Sequence, residues 1–222
     1  MLKINDFDAV IFDMDGVLID SEPLWKIAME EAFNFVGCNL TRKDFQKTVG
    51  LRIDEVIEFW HREIGWDKLS PKELEQRIIK SMIELISKTG EPLKGVVNTL
   101  NFLSKKGLKI GLATSSYSVL IEAVLNTINL REKFDIIHSA ENEEFGKPHP
   151  AVYLTVAKKM NVKSQKCLVI EDSLNGIISG KAAQMKVACI PEKTHHPEPK
   201  LMIADYMFED MVEMLNQIEN QQ

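Results

Sequence analysis

The 222-residue sequence predicts an α/β fold: a core built on a parallel sheet, with a small all-α domain inserted after the first strand. Three observations predict it. Five short apolar runs with β-branched residues recur along the chain. Helical patterns separate them from the second run onward. Between the first and second runs lies a long stretch with no convincing strand.

The first strand is read at Ala9–Phe12, an unbroken apolar run as expected of a strand buried on both faces. The stretch from Leu18 to Gly90 then contains at least three helices. Ser21 is placed to cap one that runs through Trp25 and Ala32 to Gly37. Ile53, Val56, Ile57, Trp60 and Ile64 recur with helical spacing and stop at Gly65. Ser70-Pro71-Lys72-Glu73 joins a capping serine, a first-turn proline and a glutamate at the third helical position. Leu74, Ile78, Met82, Leu85 and Ile86 carry that helix to Gly90. Further strands follow at Lys109–Ala113, Asp135–Ile137, Cys167–Ile170 and Val187–Ile190, with helices at Val96–Lys106, Val119–Ile128, Ala151–Met160 and Ile177–Ala183. The expected architecture is a Rossmann-like parallel-sheet core of residues 1–17 and 91–222, with residues 18–90 as a separate helical domain. The His195-His196-Pro197-Glu198-Pro199 stretch reads as a loop.

Composition narrows the function. Hydrophobic residues make up 45% of the chain and charged residues 27%, the balance of a soluble globular protein. A net charge of −6 argues against nucleic acid as a partner, since binding its backbone needs a basic footprint. Cys38, Cys167 and Cys189 are odd in number and widely spaced, which suits reduced thiols rather than disulfides or zinc. His149, His195 and His196 show no ligand spacing with Cys or carboxylate partners. The start of the chain shows no basic or apolar leader, and no run reaches membrane-spanning length. A cytoplasmic monomer with no membrane or nucleic-acid partner is expected.

Chemistry gathers at the strand ends, where open parallel sheets bind their ligands. The first strand ends in Asp13-Met14-Asp15-Gly16-Val17, two carboxylates followed by a turn glycine. The second ends in Thr114-Ser115-Ser116, the loop after the third carries Lys147-Pro148, and the fourth ends in Glu171-Asp172-Ser173. Each piece alone has another explanation. Asp-x-Asp fits a solvated turn, Thr114-Ser115 a helix cap, Lys147 a surface lysine, and Glu171-Asp172-Ser173 a helix N-terminus. Together, acids, hydroxyls and a lysine on one edge suit metal-assisted phosphoryl chemistry, where positioning and charge stabilisation do most of the catalysis.

In that order, Asp13-Met14-Asp15-Gly16-Val17, Thr114-Ser115, Lys147-Pro148 and Glu171-Asp172-Ser173 resemble the four motifs of the haloacid dehalogenase superfamily. The helical segment resembles the small α-helical cap of its β-phosphoglucomutase-like branch. Within that branch, Asp20-Ser21-Glu22-Pro23-Leu24-Trp25 and Gly50-Leu51-Arg52-Ile53-Asp54 look most like bacterial phosphatases of 2-deoxyglucose 6-phosphate and hexitol phosphates.

The resemblance implies roles. Asp13 would be the nucleophile, forming an aspartyl-phosphate, and Asp15 the general acid and base. Mg²⁺ would be held by Asp13, the Asp15 carbonyl and Asp172, with Glu171 orienting metal-bound water. Thr114 and the Ser115 amide would hold the phosphoryl group, and Lys147 would offset the charge crowded there. Arg52, then Glu22 and Trp25, are the candidate contacts from the cap to a small phosphorylated sugar; Arg52 also fits a solvated helix start. Trp25 and Trp60 fit the cap core as well. A phosphosugar mutase is the nearest rival, although such enzymes carry a histidine where this chain has Trp25. A phospho-signalling receiver domain shares the acid, hydroxyl and lysine set but lacks a long helical insertion.

Overall fold

The computed structural model describes residues 1–191 and 199–220, so His195 and His196 lie outside the described residues. Among the described residues, six strands form one parallel sheet: β1 (Ala9–Phe12), β2 (Lys109–Thr114), β3 (Ile136–Ser139), β4 (Cys167–Glu171), β5 (Lys186–Cys189) and β6 (Tyr206–Met207). Their order is β3-β2-β1-β4-β5-β6. The chain builds outward from β1 to β3, then returns to lay β4 on the other side of β1. That reversal leaves a crevice at the carboxyl end of β1, the usual ligand position in such sheets.

Four helices fill the stretch from Leu18 to Gly90: α1 (Glu22–Phe35), the single turn α2 (Arg42–Phe45), α3 (Ile53–Glu63) and α4 (Pro71–Thr89). The start of α4 follows its sequence signal. The Glu73 amide donates to Ser70 Oγ at 3.3 Å, and the Ser70 amide donates to the Glu73 carboxylate at 2.8 Å. Ser21 departs from expectation: its backbone is already helical at φ −94°, ψ −13°, and its side chain caps nothing. The segment enters and leaves the core side by side, with the Leu93 amide donating to Leu18 O at 2.9 Å and Ile19 bridged to Pro92.

The remaining helices are α5 (Val96–Lys105), α6 (Ser118–Thr127), α7 (Ala151–Lys159), α8 (Leu174–Ala182) and α9 (Met211–Glu219). Period-2 geometry divides β1 between two apolar layers. Val10 and Phe12 pack with Leu100, Leu120 and Met214 of α5, α6 and α9, whereas Ala9 and Ile11 pack with Val152, Val156 and Ile177 of α7 and α8. Burial on both faces is why this strand reads as a continuous apolar run. The helical segment is not isolated, since α4 packs along α6 as well as against α1 and α3.

Two elements exceed the sequence reading. β6 is a two-residue edge strand, too short to show a period. α9 follows Asp210, whose side chain accepts from the Glu213 amide at 2.8 Å, and it buries Met211, Met214, Leu215 and Ile218. Among the described residues no helix is long and apolar enough to cross a membrane.

Candidate active site

Register brings the strand ends together. Phe12 is level with Leu112 of β2 and Ile170 of β4, so the next residue, Asp13, emerges between the ends of both neighbours. Its amide continues the ladder to Ile170 O at 3.0 Å. Lys147 comes up from the loop after β3, and its side chain is only 1% exposed. Its Nζ lies 3.0 Å from Asp13 Oδ1 and 2.7 Å from Glu171 Oε1, and it donates to Ala113 O at 3.2 Å. Thr114 is buried at the end of β2, its Oγ1 accepting from the Ser116 amide at 3.1 Å.

Two glycines make room for the acids. Gly16 sits at φ +70°, and a Cβ there would fall 2.1 Å from Asp172 Oδ2. A Cβ on Gly176, in the first turn of α8, would fall 1.6 Å from Glu171 Oε1. Any side chain at either position would displace a carboxylate from the crevice.

Asp13, Glu171 and Asp172 offer ligand oxygens within 4.8 Å of one another, the one such cluster found among the described residues. Its donors are all carboxylate oxygens, the set preferred by hard cations. Asp13 Oδ1 is buried against the Lys147 ammonium at 3.0 Å. A divalent cation fits carboxylate oxygens gathered this closely, whose mutual repulsion it would relieve. Asp13 and Asp172 are the stronger donors. Glu171 is already saturated: Oε1 accepts from Lys147 and from Tyr153 Oη at 2.8 Å, and Oε2 from the Asp172 amide and the Ser173 amide and hydroxyl, each at 3.0 Å. Glu171 thereby anchors Lys147 beside Asp13.

Crowding shifts the titration of the cluster. Burial, then the neighbouring Glu171 and Asp15 charges, push Asp13 up from 3.8 to about 7 against the pull of Lys147. Burial and the Glu171 and Asp13 charges push Asp172 well above its ordinary value. Glu171 moves the other way, because Lys147 and its other donors outweigh burial. Lys147 stays charged despite burial, held so by Asp13 and Glu171.

A pH prediction follows for the metal-free protein. Between 3.8 and about 7, folded Asp13 keeps a proton that the unfolded chain has lost, so rising pH favours unfolding through that window. Asp172 acts in the same direction. Glu171 opposes them, but only below its unfolded value of 4.5. Melting temperature in EDTA should therefore fall from about pH 5 to about pH 8, and an added divalent cation should restore more of it at the higher pH. A melting temperature that climbs with pH in EDTA would contradict the crowded, cation-seeking cluster.

The Asp15 side chain turns away from that cluster towards the helical segment. Its Oδ1 accepts from Ser21 Oγ at 2.5 Å and Trp25 Nε1 at 3.1 Å, and its Oδ2 from Ser116 Oγ at 2.6 Å. Sequence reasoning missed this set of three. The one available signal was that Ser21 and Trp25 lie one helical turn apart, on the same face of α1. Trp25 thus reaches the site rather than only filling the helical core, whereas Trp60 is buried within that core. Glu22 lines the cavity above Asp13 and pairs with Lys26 at 3.3 Å.

Arg52 is not where it was expected. Its Nη1 donates to Ala140 O at 3.1 Å and Glu143 O at 3.0 Å, and its guanidinium pairs with Asp54 and Glu55. It fastens the helical segment to the loop preceding Lys147 and does not line the cavity. The Ser115 hydroxyl donates to Gly50 O at 3.0 Å, and Asn175 Nδ2 to Val49 O at 2.9 Å, at the same seam. The His149 ring lies against Phe145, away from the acids.

Residues 10–190 match the haloacid dehalogenase-like hydrolase family. The chain is 38% identical over 207 residues to hexitol phosphatase B of Escherichia coli strain K12, covering 93% of each chain. It is 31% identical over 176 residues to the phosphorylated carbohydrates phosphatase of Thermotoga maritima, covering 79% of this chain and 81% of that one. Among solved structures, β-phosphoglucomutase from Clostridium difficile aligns with a TM-score of 0.81 at 25% identity, covering 97% of this chain and 98% of that one.

Proposed function

The chain belongs to the haloacid dehalogenase-like hydrolase family, and from that premise we propose that it is a Mg²⁺-dependent phosphatase of small sugar phosphates, of the hexose or hexitol class. One observation carries the reading. Asp13 stands at the end of the central strand with Lys147 at 3.0 Å and a second acid, Asp172, beside it. The 38% identity to a hexitol phosphatase supports the substrate class.

In the proposed reaction, an Asp13 carboxylate oxygen attacks phosphorus and the bond to the sugar oxygen breaks, leaving an aspartyl-phosphate. Asp15 gives its proton to the departing sugar oxygen. It then takes a proton from water as that water attacks phosphorus, the Asp13–phosphorus bond breaks, and phosphate leaves. The contacts of Asp15 suit both states. Trp25 Nε1 can only donate, so it keeps Oδ1 an acceptor, and a proton on Asp15 belongs on Oδ2. The Ser116 hydroxyl can turn to accept from that proton or donate in its absence. Thr114 and Lys147 bind and charge-balance the phosphoryl group. Mg²⁺, held by Asp13, Asp172 and the Asp15 carbonyl, would supply electrostatic stabilisation of the phosphoryl oxygens. Residues 18–90 act as a cap over a core of residues 1–17 and 91–222, excluding water from the reacting ester.

A phosphate-release screen over sugar phosphates, with Mg²⁺ or with EDTA, tests this. Release that needs Mg²⁺ and favours hexose or hexitol phosphates is expected. Trp25, in place of a cap histidine, favours water as the acceptor over a second sugar. An isomeric phosphosugar in ³¹P NMR, rather than free phosphate, would identify a mutase instead.

A further inference from the structure

The walls of the cavity above Asp13 are of two kinds. On the helical side Trp25, Met29, Phe45, Val49, Ile53 and Val56 make an apolar surface. The charged side chains that line it are Asp13, Asp15, Asp172 and Glu22, all acidic. Among the described residues no lysine or arginine lines the cavity. Lys147 is buried behind Asp13, and Arg52 is held on the Ala140 and Glu143 carbonyls.

From this we infer, resting on the phosphatase reading, that the site selects esters whose organic part is uncharged, and that Glu22 enforces the selection. The phosphoryl end of a substrate meets Thr114 and the acids that hold the cation, with Lys147 offsetting charge from behind Asp13. A second anionic group several ångströms away meets no lysine or arginine, only apolar and hydroxyl side chains and the Glu22 carboxylate. Removed from water with no cationic side chain as partner, and facing a like charge, it is disfavoured. The carbon face of a neutral polyol or deoxysugar can instead lie against the apolar wall. Bisphosphates and phosphorylated carboxylic acids are therefore rejected by repulsion rather than by size, a built-in element against the wrong ligand.

The test compares kcat/KM, at fixed low salt, for a hexitol monophosphate, a hexose 1,6-bisphosphate and phosphoglycolate. The native protein should favour the hexitol monophosphate by at least about tenfold over either competitor, each of which carries a second anionic group. In Glu22→Lys that ratio should fall about tenfold, chiefly through better use of the bisphosphate. Glu22→Gln, which also releases Lys26 from its pair, should shift the ratio in the same direction by less. The native preference should shrink as salt is raised, as repulsion across water-accessible space does. A native ratio near one, or a ratio unmoved in both variants while circular dichroism shows them folded, would overturn the inference. No phosphate from any ester, a generic aryl phosphate included, would instead overturn the phosphatase reading and this inference with it.

Discussion

Asp13→Asn should lower phosphate release by about four orders of magnitude or more while leaving the fold intact. The neighbouring acids are already engaged, Asp172 by the cation in the proposed reaction. Glu171 has both oxygens bonded, and Asp15 is held by Ser21, Trp25 and Ser116. The substitution is nearly isosteric, and it removes one of several negative charges from a buried cluster whose crowding pushes Asp13 up to about 7. Lys147 keeps Glu171 as a partner at 2.7 Å. The melting temperature of the metal-free variant at neutral pH should therefore equal or exceed that of the native protein. A folded Asp13→Asn protein that still turns over at native rates would exclude Asp13 as nucleophile.

Lys147→Met should have the largest effect on stability. Methionine fills much of the lysine's volume, but it leaves buried Asp13 and Glu171 and half-buried Asp172 without a positive charge. Breaking a buried ion pair from one side costs roughly 3–5 kcal/mol. For a chain of this length that corresponds to a fall of about 10 °C in melting temperature. The loss should be larger at about pH 8 than at about pH 5, because protonation relieves uncompensated carboxylates. Activity should fall by at least about two orders of magnitude, as for loss of a main charge-stabilising group. In a double-mutant cycle, Asp13→Asn should recover part of the stability lost in Lys147→Met, since it removes one orphaned charge. Additive losses would show that the two side chains do not share their electrostatics.

Much of this site was legible because the sheet obeys simple rules. Val10, Ile11 and Phe12 could be read as a strand because both faces of β1 are buried. Asp13 and Glu171-Asp172 could then be placed at one edge because parallel strands end together. What lay beyond reading was the choice of partner among groups distant in the chain. Ser116 meets Asp15 across 101 residues, and Arg52 meets the Ala140 carbonyl across 88. Spacing along one helix gives no access to such pairs, and an arginine at a cap loop looks the same whether it faces a ligand or a carbonyl. β6 escaped because an edge strand of two residues has no pattern to detect.

The two ends of the helical insertion grip the core in different ways. At the Ile19–Gly90 end the contact is oily, with α4 lying along α6 and Gly90 closely packed between Ile19 and Thr127. At the far lip it is stitched by single side chains to main-chain atoms: Ser115 to Gly50, Asn175 to Val49, and Arg52 to Ala140 and Glu143. Water can substitute for each of those stitches at little net cost, but it cannot replace the oily contact. Separating the segment from the core would therefore cost most along α4 and α6 and least at the Val49–Arg52 lip.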